Sequence, residues 1–435
     1  MNFMNYRPSR GFVVCMVPML ASVAGGAWAW NKATDVPLRE RAQGDFVALV
    51  KKKREVLSEG REDSPAARKA MREGCAAMKE KMLLEHPGLQ VEAKPVPAEE
   101  NAFLELYKLA AYPKGTGPDF EALRVLLDDS ELAWDPERVK AALAANADWV
   151  ERAEKIAAMT RRSSTDMPAD YNGFFSARAS KALGDTLMLK ARLAADAGDA
   201  GEVLRLVGGV RNLGSHLHEV EQPTLLGETV RVLVDLSMIH RTFDHLLPEL
   251  GPETDLTPWK SALASSGYTP ADFAHVMRGE WHTTAEHYLY PAILRQKPSD
   301  GEALARVHAA NFEEFVGDLQ GMSWQEFASE GCEHLMSDLS GLSAQSREIA
   351  EAFQVGARAW NKGYLRAVSV TALHEAAIDL MILEQQGETL AAESVAKLKT
   401  DPVSGLGYRF DPATRTLSAP EVIEAANVKP VKLPW

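Results

Sequence analysis

Ala191–Leu217 reads ARLAADAGDAGEVLRLVGGVRNLGSHL, an Ala- and Leu-rich stretch turned at Gly198-Asp199. The reading is helix, tight turn, helix. The same composition continues on both sides: Ala, Leu, Glu, Lys and Arg dominate and β-branched runs are scarce. Helices are expected over about 39–58, 64–86, 97–112, 119–129, 136–159, 172–197, 201–220, 224–247, 270–290, 300–318, 323–338, 343–386 (with a break near Gly363) and 390–398. Start signals support them. Asp135-Pro136 and Thr257-Pro258 place a cap residue before proline. Ser299-Asp300-Gly301-Glu302 and Ser323-Trp324-Gln325-Glu326 fit the capping box, and Thr269-Pro270-Ala271-Asp272 is the same start with Asp for Glu.

The chain changes character after Lys399. Asp401-Pro402-Val403-Ser404-Gly405-Leu406-Gly407-Tyr408-Arg409-Phe410, the turn Asp411-Pro412-Ala413-Thr414, and Thr416-Leu417-Ser418 read as a small hairpin. Two strands alone are marginal in water, so it must pack on helices. The expected fold is all-α: an irregular array of antiparallel helical hairpins, joined by short loops, with a small C-terminal β-hairpin. No Trp, Tyr and Pro pattern recurs at the fixed period of a tetratricopeptide solenoid. Segment 161–170 is the best internal break, either a domain boundary or a long loop. The regions expected are 1–29, 30–160, 171–400 and 401–435.

The first thirty residues set the expected location. Arg7 and Arg10 precede an uncharged run, Gly11–Trp30, that ends in Ala27-Trp28-Ala29. A basic start, an apolar core and an A-x-A ending read as an export signal. Twenty apolar residues also suffice to span a bilayer, so retention as an anchor is the alternative, with Trp28 and Trp30 at the interface. Lipidation at Cys15 is disfavoured by Val14, and the prepilin-like Arg10-Gly11-Phe12 lacks the expected Glu at Met16. The body is expected in the periplasm or outside the cell, touching membrane only through residues 11–30 if these are kept.

The formal net charge is −13, and loss of residues 1–29 leaves 46 basic against 61 acidic residues. Such a surface repels phosphate backbones, so nucleic-acid binding is not expected. Lys51-Lys52-Lys53-Arg54, with Glu55 and Glu59 behind it, reads as a solvated face. Beyond the leader the cysteines are Cys75 and Cys332, which allow one disulfide in an oxidising compartment. No Walker loop, dinucleotide turn or G-x-S-x-G is present, and no cofactor is expected.

The strongest polar constellation is His275, Glu280, His282, Glu286 and His287. His282 and Glu286 are four apart and share a helical face, with His275 on that face roughly 10 Å away at 1.5 Å per residue. His275, His282 and Glu286 are therefore the candidate metal ligands, and a further helix would have to complete the site. The competing reading is a polar face whose Trp281, Tyr288 and Leu289 turn inward. His216 and His218 fall on different faces. His240 and Asp244, and His374-Glu375 with Asp379, read as ion pairs. Ser394-Val395-Ala396-Lys397 matches S-x-x-K, but Lys399-Thr400-Asp401 lacks the glycine of the partner K-T-G motif. Leu365, Val368, Ala372, Ala376, Leu380 and Leu383, widened by Ile378, Met381 and Ile382, form the stripe of a core helix. No catalytic residue is assigned.

The run Tyr364–Ser418 resembles the C-terminal part of a group of exported helical proteins from planctomycete- and verrucomicrobial-type bacteria. There a long Ala/Leu-rich helix leads to a glycine, an Asp-Pro-Phe-Ser-Gly turn with a tyrosine-bearing strand, and a second strand ending in Tyr-Ser-x-Gly. The matching parts are Leu365–Gln386, Gly387, and Asp401-Pro402-Val403-Ser404-Gly405 with Tyr408. Val403 replaces the aromatic, and Ala419-Pro420 stands where glycine is expected. His216–Leu236, with Pro223-Thr224-Leu225-Leu226, is similar to the middle of the same group. The two stretches cover under a fifth of the chain. The resemblance implies this fold and export, and carries no activity. The expected function is binding or scaffolding of a protein or peptide partner in the cell envelope. The alternatives are a metal-dependent hydrolase using the 275–287 histidines and a pilus- or secretion-associated subunit.

Overall fold

The computed structural model describes residues 64–110, 123, 126–127, 133–165, 167, 174–264, 268–330, 339–420 and 428–435. Within them the chain is helical, with one small sheet at the C-terminal end. The helices are α1 (Pro65–Glu85), α2 (Ala102–Ala110), α3 (Pro136–Ala145), α4 (Ala147–Ala158), α5 (Phe174–Asp196), α6 (Ala200–His218), α7 (Leu225–Arg241), α8 (Leu247–Leu250), α9 (Thr257–Ala262), α10 (Pro270–Thr284), α11 (Tyr290–Gln296), α12 (Gly301–Gly321), α13 (Trp324–Glu330) and α14 (Ala344–Gln385). The expected helix 39–58 and the N-terminal segment lie outside the described residues, as does nearly all of 119–129.

Local chemistry marks several of the starts, although Thr257, expected as a cap, is instead the first residue of α9, after Leu256. Ser64, Asp135, Asp199 and Thr224 each accept a backbone N–H in the first turn of α1, α3, α6 and α7. Thr269 with Asp272, and Ser323 with Glu326, form reciprocal boxes at α10 and α13. The box expected at Ser299–Glu302 does not form. Asp300 instead accepts from the Ser343 N–H (2.6 Å) and from the Ser343 and Ser346 hydroxyls, so it caps α14. Glu302 pairs with Lys81 and Arg306.

Prolines and an asparagine break what the periodicity reads as continuous. The expected helix 136–159 divides at Asn146, whose side chain donates back to the Ala142 carbonyl at 2.8 Å and competes with the helical ladder. The expected helices 224–247 and 270–290 widen into π-turns at Thr242–Leu246 and Ala285–Leu289. Pro248 and Pro291 follow each π-turn by two residues. Proline has no N–H and crowds the carbonyl four residues back, and the wider turn makes room for it. By contrast α14 runs unbroken through Gly363, where a lone glycine costs only ~1 kcal/mol relative to alanine.

Two compact units divide the chain. Of the described residues, one holds those within 64–88, 284–313 and 339–363, the other those within 89–283, 314–330 and 364–435. In the larger unit α5, α6 and α7 pack on one another, with α2 and α4 against α5 and α6. Leu183, Leu187, Val203, Leu206, Val207, Val210, Leu213 and Val230 are buried there. The turn between α5 and α6 places Gly198 at φ 72°, a left-handed conformation glycine adopts without penalty. Ser163 and Ser164, in the segment expected as a domain boundary or a long loop, are bonded within this unit. Asn101 Oδ1 accepts from the Phe103, Leu104 and Ser163 N–H groups, and Glu221 accepts from Ser163 and Ser164.

The C-terminal hairpin is present and gains a third strand. β1 (Arg409–Asp411) pairs antiparallel with β2 (Thr416–Ser418), and β2 with β3 (Val431–Lys432). Phe410, Leu417 and Val431 point inward. In the turn before it, Asp401 Oδ1 accepts from the Val403 and Ser404 N–H groups at 3.1 and 2.8 Å.

Candidate functional site

Helix α7 reads LLGETVRVLVDLSMIHR, and before its last two residues, His240 and Arg241, its acidic and basic side chains are Glu228, Arg231 and Asp235. Spacings of three and four put them on one face. All three are buried, Glu228 completely at 0 % exposure. The helix is held at its start by Thr224 and by Glu280 of α10, whose Oε2 accepts from the Leu225 N–H at 2.8 Å. An acid there also meets the positive end of the helix dipole.

Around this face the larger unit assembles one ionic network. Arg231 Nε donates to Glu228 Oε2 at 2.8 Å, and its Nη2 donates to Oε1 of the same carboxylate, a bidentate fork. His218, the last residue of α6, reaches Glu228 Oε2 through Nδ1 at 2.9 Å. Its Nε2 lies 3.8 Å from Asp272 Oδ1, in the first turn of α10. Arg231 also donates to the Tyr364 hydroxyl of α14 at 3.4 Å and lies 3.6 Å from Asp235 Oδ2. The guanidinium carbon stands 4.1 Å from the centroid of Tyr268, whose hydroxyl donates to Asp235 Oδ2 at 2.9 Å. Trp324 donates to the Tyr268 carbonyl, and Phe273 and Tyr364 stack with centroids 4.9 Å apart. Gly214 of α6 backs the cluster. A Cβ there would lie 3.1 Å from Arg231 Cγ and 3.3 Å from Asp235 Oδ1.

Burial disfavours every charge in this cluster, and pairing decides which survive. Burial pushes the Glu228 carboxyl up, but Arg231 and His218 outweigh it and hold it well below the usual carboxylate range. Burial likewise pushes His218 down, but the Glu228 charge and the bonds to Asp272 and Glu228 overturn it, and the ring is pushed up to about 9. Arg231 is raised despite its burial, chiefly by Glu228. Asp235 goes the other way: burial raises it over the pull of Arg231 and Arg211. His218 is therefore a cation at neutral pH. The network ties α6, α7, α10 and α14 together, and Asp272, with 31 % of its side chain exposed, is its link to solvent.

Three further histidines of the larger unit bond carbonyls at or near helix ends, where the last carbonyls lack intrahelical partners. His216 Nε2 donates to the Ile156 carbonyl in the last turn of α4 at 2.9 Å. Burial pushes this ring down to about 4, in keeping with a neutral donor. Asn212 donates to the Ala157 and Met159 carbonyls beside it, and Arg211 to the Ala262 and Ala264 carbonyls at the end of α9. His275 Nε2 bonds the Val220 carbonyl just past α6, and His282 Nε2 the Leu89 carbonyl, each at 2.8 Å.

The candidate metal ligands are thus placed with separate partners. His275 and His282 hold backbone carbonyls, and Glu286, in the smaller unit, pairs with Lys79 at 2.8 Å. A carbonyl only accepts, so each ring carries its hydrogen on Nε2, the nitrogen aimed at that carbonyl. The π-turn beginning at Ala285 also interrupts the α-helical count on which the pairing of His282 with Glu286 rests. Among the described residues no three His, Cys, Asp or Glu side chains are grouped to hold a metal ion. Cys75 is buried in the smaller unit with a free thiol, pushed up to about 11 by burial, and Cys332 lies outside the described residues. Asp379 pairs with Lys260, and Lys399 with Glu375. Ser394 accepts from the Ala391 N–H while Lys397 pairs with Glu388, so the S-x-x-K residues have different partners.

The network itself was missed as a site by spacing arguments built around histidine. Its signal is nevertheless in the sequence: Glu228, Arg231 and Asp235 at helical spacing inside Leu225–Ile239, an otherwise mostly apolar run. No protein-family model matches the chain, and neither a curated protein nor a solved structure matches it.

Proposed function

We propose that this chain is an exported helical protein that binds or scaffolds a protein or peptide partner in the cell envelope. The carrying observation is where its polar chemistry goes. Glu228, Arg231 and His218 are paired with one another inside the larger unit, and His216, His275 and His282 hold carbonyls, so these groups serve to fix helix against helix. A rigid stack of helices presents grooves and faces suited to a polypeptide partner. The leader-like segment Arg7–Trp30 directs the body across the membrane, and the net charge of −13 turns it away from nucleic acid. The resemblance of Tyr364–Ser418 to exported helical proteins supports the same reading.

Two measurements test it. Residues 1–40 fused to alkaline phosphatase should give active enzyme outside the cytoplasm, with a mature chain beginning at Trp30. An inactive fusion with Met1 intact overturns export. In-cell photo-crosslinking from exposed positions of the full chain should give a discrete adduct with one envelope polypeptide. Crosslinks absent from every exposed helix overturn the binding role.

A further inference from the structure

A second histidine pair lies in the larger unit, apart from the Glu228 network. His240 of α7 and His374 of α14 meet edge to face, with ring centroids 5.2 Å apart and planes at 87°. Phe243, in the π-turn after α7, packs on His374 at 4.9 Å and 78°. Each Nδ1 faces its own carbonyl four residues back, Leu236 at 2.6 Å and Val370 at 2.7 Å. A carbonyl only accepts, so Nδ1 keeps its hydrogen and an added proton goes to Nε2.

We propose that this pair is an acid-sensitive catch between α7 and α14, closed while both rings are neutral and opened when protons reach them. The surroundings decide the sign. His374 is buried, at 3 % exposure. Charged groups acting on His240 include Asp244 from the π-turn, which favours a proton, and Arg366 from α14 and Lys429 from the C-terminal segment, which oppose it. Those acting on His374 reduce to His240 itself. A proton on His240 charges a half-buried ring, and a second, on the buried His374, adds like charge on a ring whose centroid is 5.2 Å away. Burial pushes His240 down from its ordinary value and His374 down to about 3. The unfolded rings, at about 6.5, bind protons first as pH falls, so the contact is intact near neutrality and weakens below about pH 6. Within the pair His240 is the first to charge, because Asp244 stands beside it. The catch is a property of the folded chain and stands whether or not the export reading holds.

Amide hydrogen exchange on the full chain, corrected for intrinsic rates, tests this between pH 7 and pH 4.5. Segments 236–243 and 370–377 should lose at least tenfold protection on acidification, while 203–213, in the middle of α6, loses less than twofold. His374→Phe keeps an aromatic edge against Phe243 and should reduce the acid response of both segments to under twofold. His240→Gln, which keeps a donor near Leu236, serves if the first variant does not fold. Unchanged protection in the wild-type segments down to pH 4.5 overturns the proposal. So does an equal acid response in the folded variant, or a loss of protection as large in 203–213.

Discussion

Replacing Arg231 with methionine tests whether the network supports the larger unit. The change keeps most of the aliphatic stem and removes the guanidinium. Glu228, wholly buried, then loses the two hydrogen bonds from Arg231 and keeps the one from His218. Asp235 loses a cation 3.6 Å away, and Tyr268 loses the cation over its ring. Removing one partner of a buried ion pair costs about 3–5 kcal/mol, because the other charge stays behind in a medium that solvates it poorly. The residual bond from His218 places the expected loss at the low end, ~3 kcal/mol. At roughly 2–4 °C per kcal/mol for a unit of this size, the melting temperature falls by ~10 °C. Calorimetry and guanidinium unfolding of wild type and R231M provide the measurement. The companion Glu228→Leu/Arg231→Met double variant removes both charges and should be more stable than R231M, since leucine at 228 removes the fully buried carboxylate that R231M leaves behind. The reasoning is refuted if R231M unfolds within about 1 kcal/mol of wild type, or if the double variant is the less stable of the two.

His218 has its folded-state value raised to about 9 against about 6.5 unfolded, so its contribution is complete below pH 6.5 and is lost as pH rises through 9; melting temperature should fall between pH 7 and 10 in wild type and stay flatter in H218Q. Gly279→Ala would place a Cβ 2.1 Å from the Pro223 carbonyl oxygen, a backbone clash costing ~3 kcal/mol, whereas Gly208→Ala meets nothing within 4 Å and should stabilise α6 by about 0.5 kcal/mol; denaturant midpoints separate the two. Asn101→Ala removes a side chain that holds the Phe103, Leu104 and Ser163 amides and the Ser163 carbonyl, and should cost ~2 kcal/mol and expose 161–165 to limited proteolysis at rates well above wild type.

How far the sequence carried the reading follows from what each feature depends on. Helices and their starts rest on neighbours within one turn, so Thr269 with Asp272 and Ser323 with Glu326 were legible. The hairpin was legible for the same reason, through Asp411–Thr414. What local rules leave undecided rests on partners far along the chain. Asp300 could cap its own helix or the start of α14, and only the fold brings Ser343 and Ser346 to it. Val431–Lys432 is too short to show a strand period. The division into units interleaves three stretches for each, so no linker composition announces it. Pro248 and Pro291 were visible, but local rules say only that proline disturbs a helix; that each is preceded by a π-turn is a choice made by the packed structure.

The buried charges of α7 bear on a difficulty inherent in this composition. Helices built from Ala, Leu and Val can slide or rotate against one another with little change in buried apolar area, since one apolar ridge resembles the next. A Glu–Arg–His–Asp set cannot. Shift α7 by one turn against α6 and Glu228 leaves His218, while Arg231 leaves Tyr268 and Tyr364; Glu228 and Arg231 share α7 and stay paired, but His218 loses its buried carboxylate. The correct register brings His218 to Glu228, and displaced registers lose that buried contact at a cost of about 3 kcal/mol. The histidines at the ends of α4 and α6 act in the same sense, since a carbonyl at a helix terminus is met only when the neighbouring helix stops at the right height. On this argument the double variant Glu228→Leu/Arg231→Met keeps its melting temperature yet loses uniqueness. Its amide spectrum should show more than one set of resonances for α6 and α7. A single sharp set would mean that apolar packing alone selects the register.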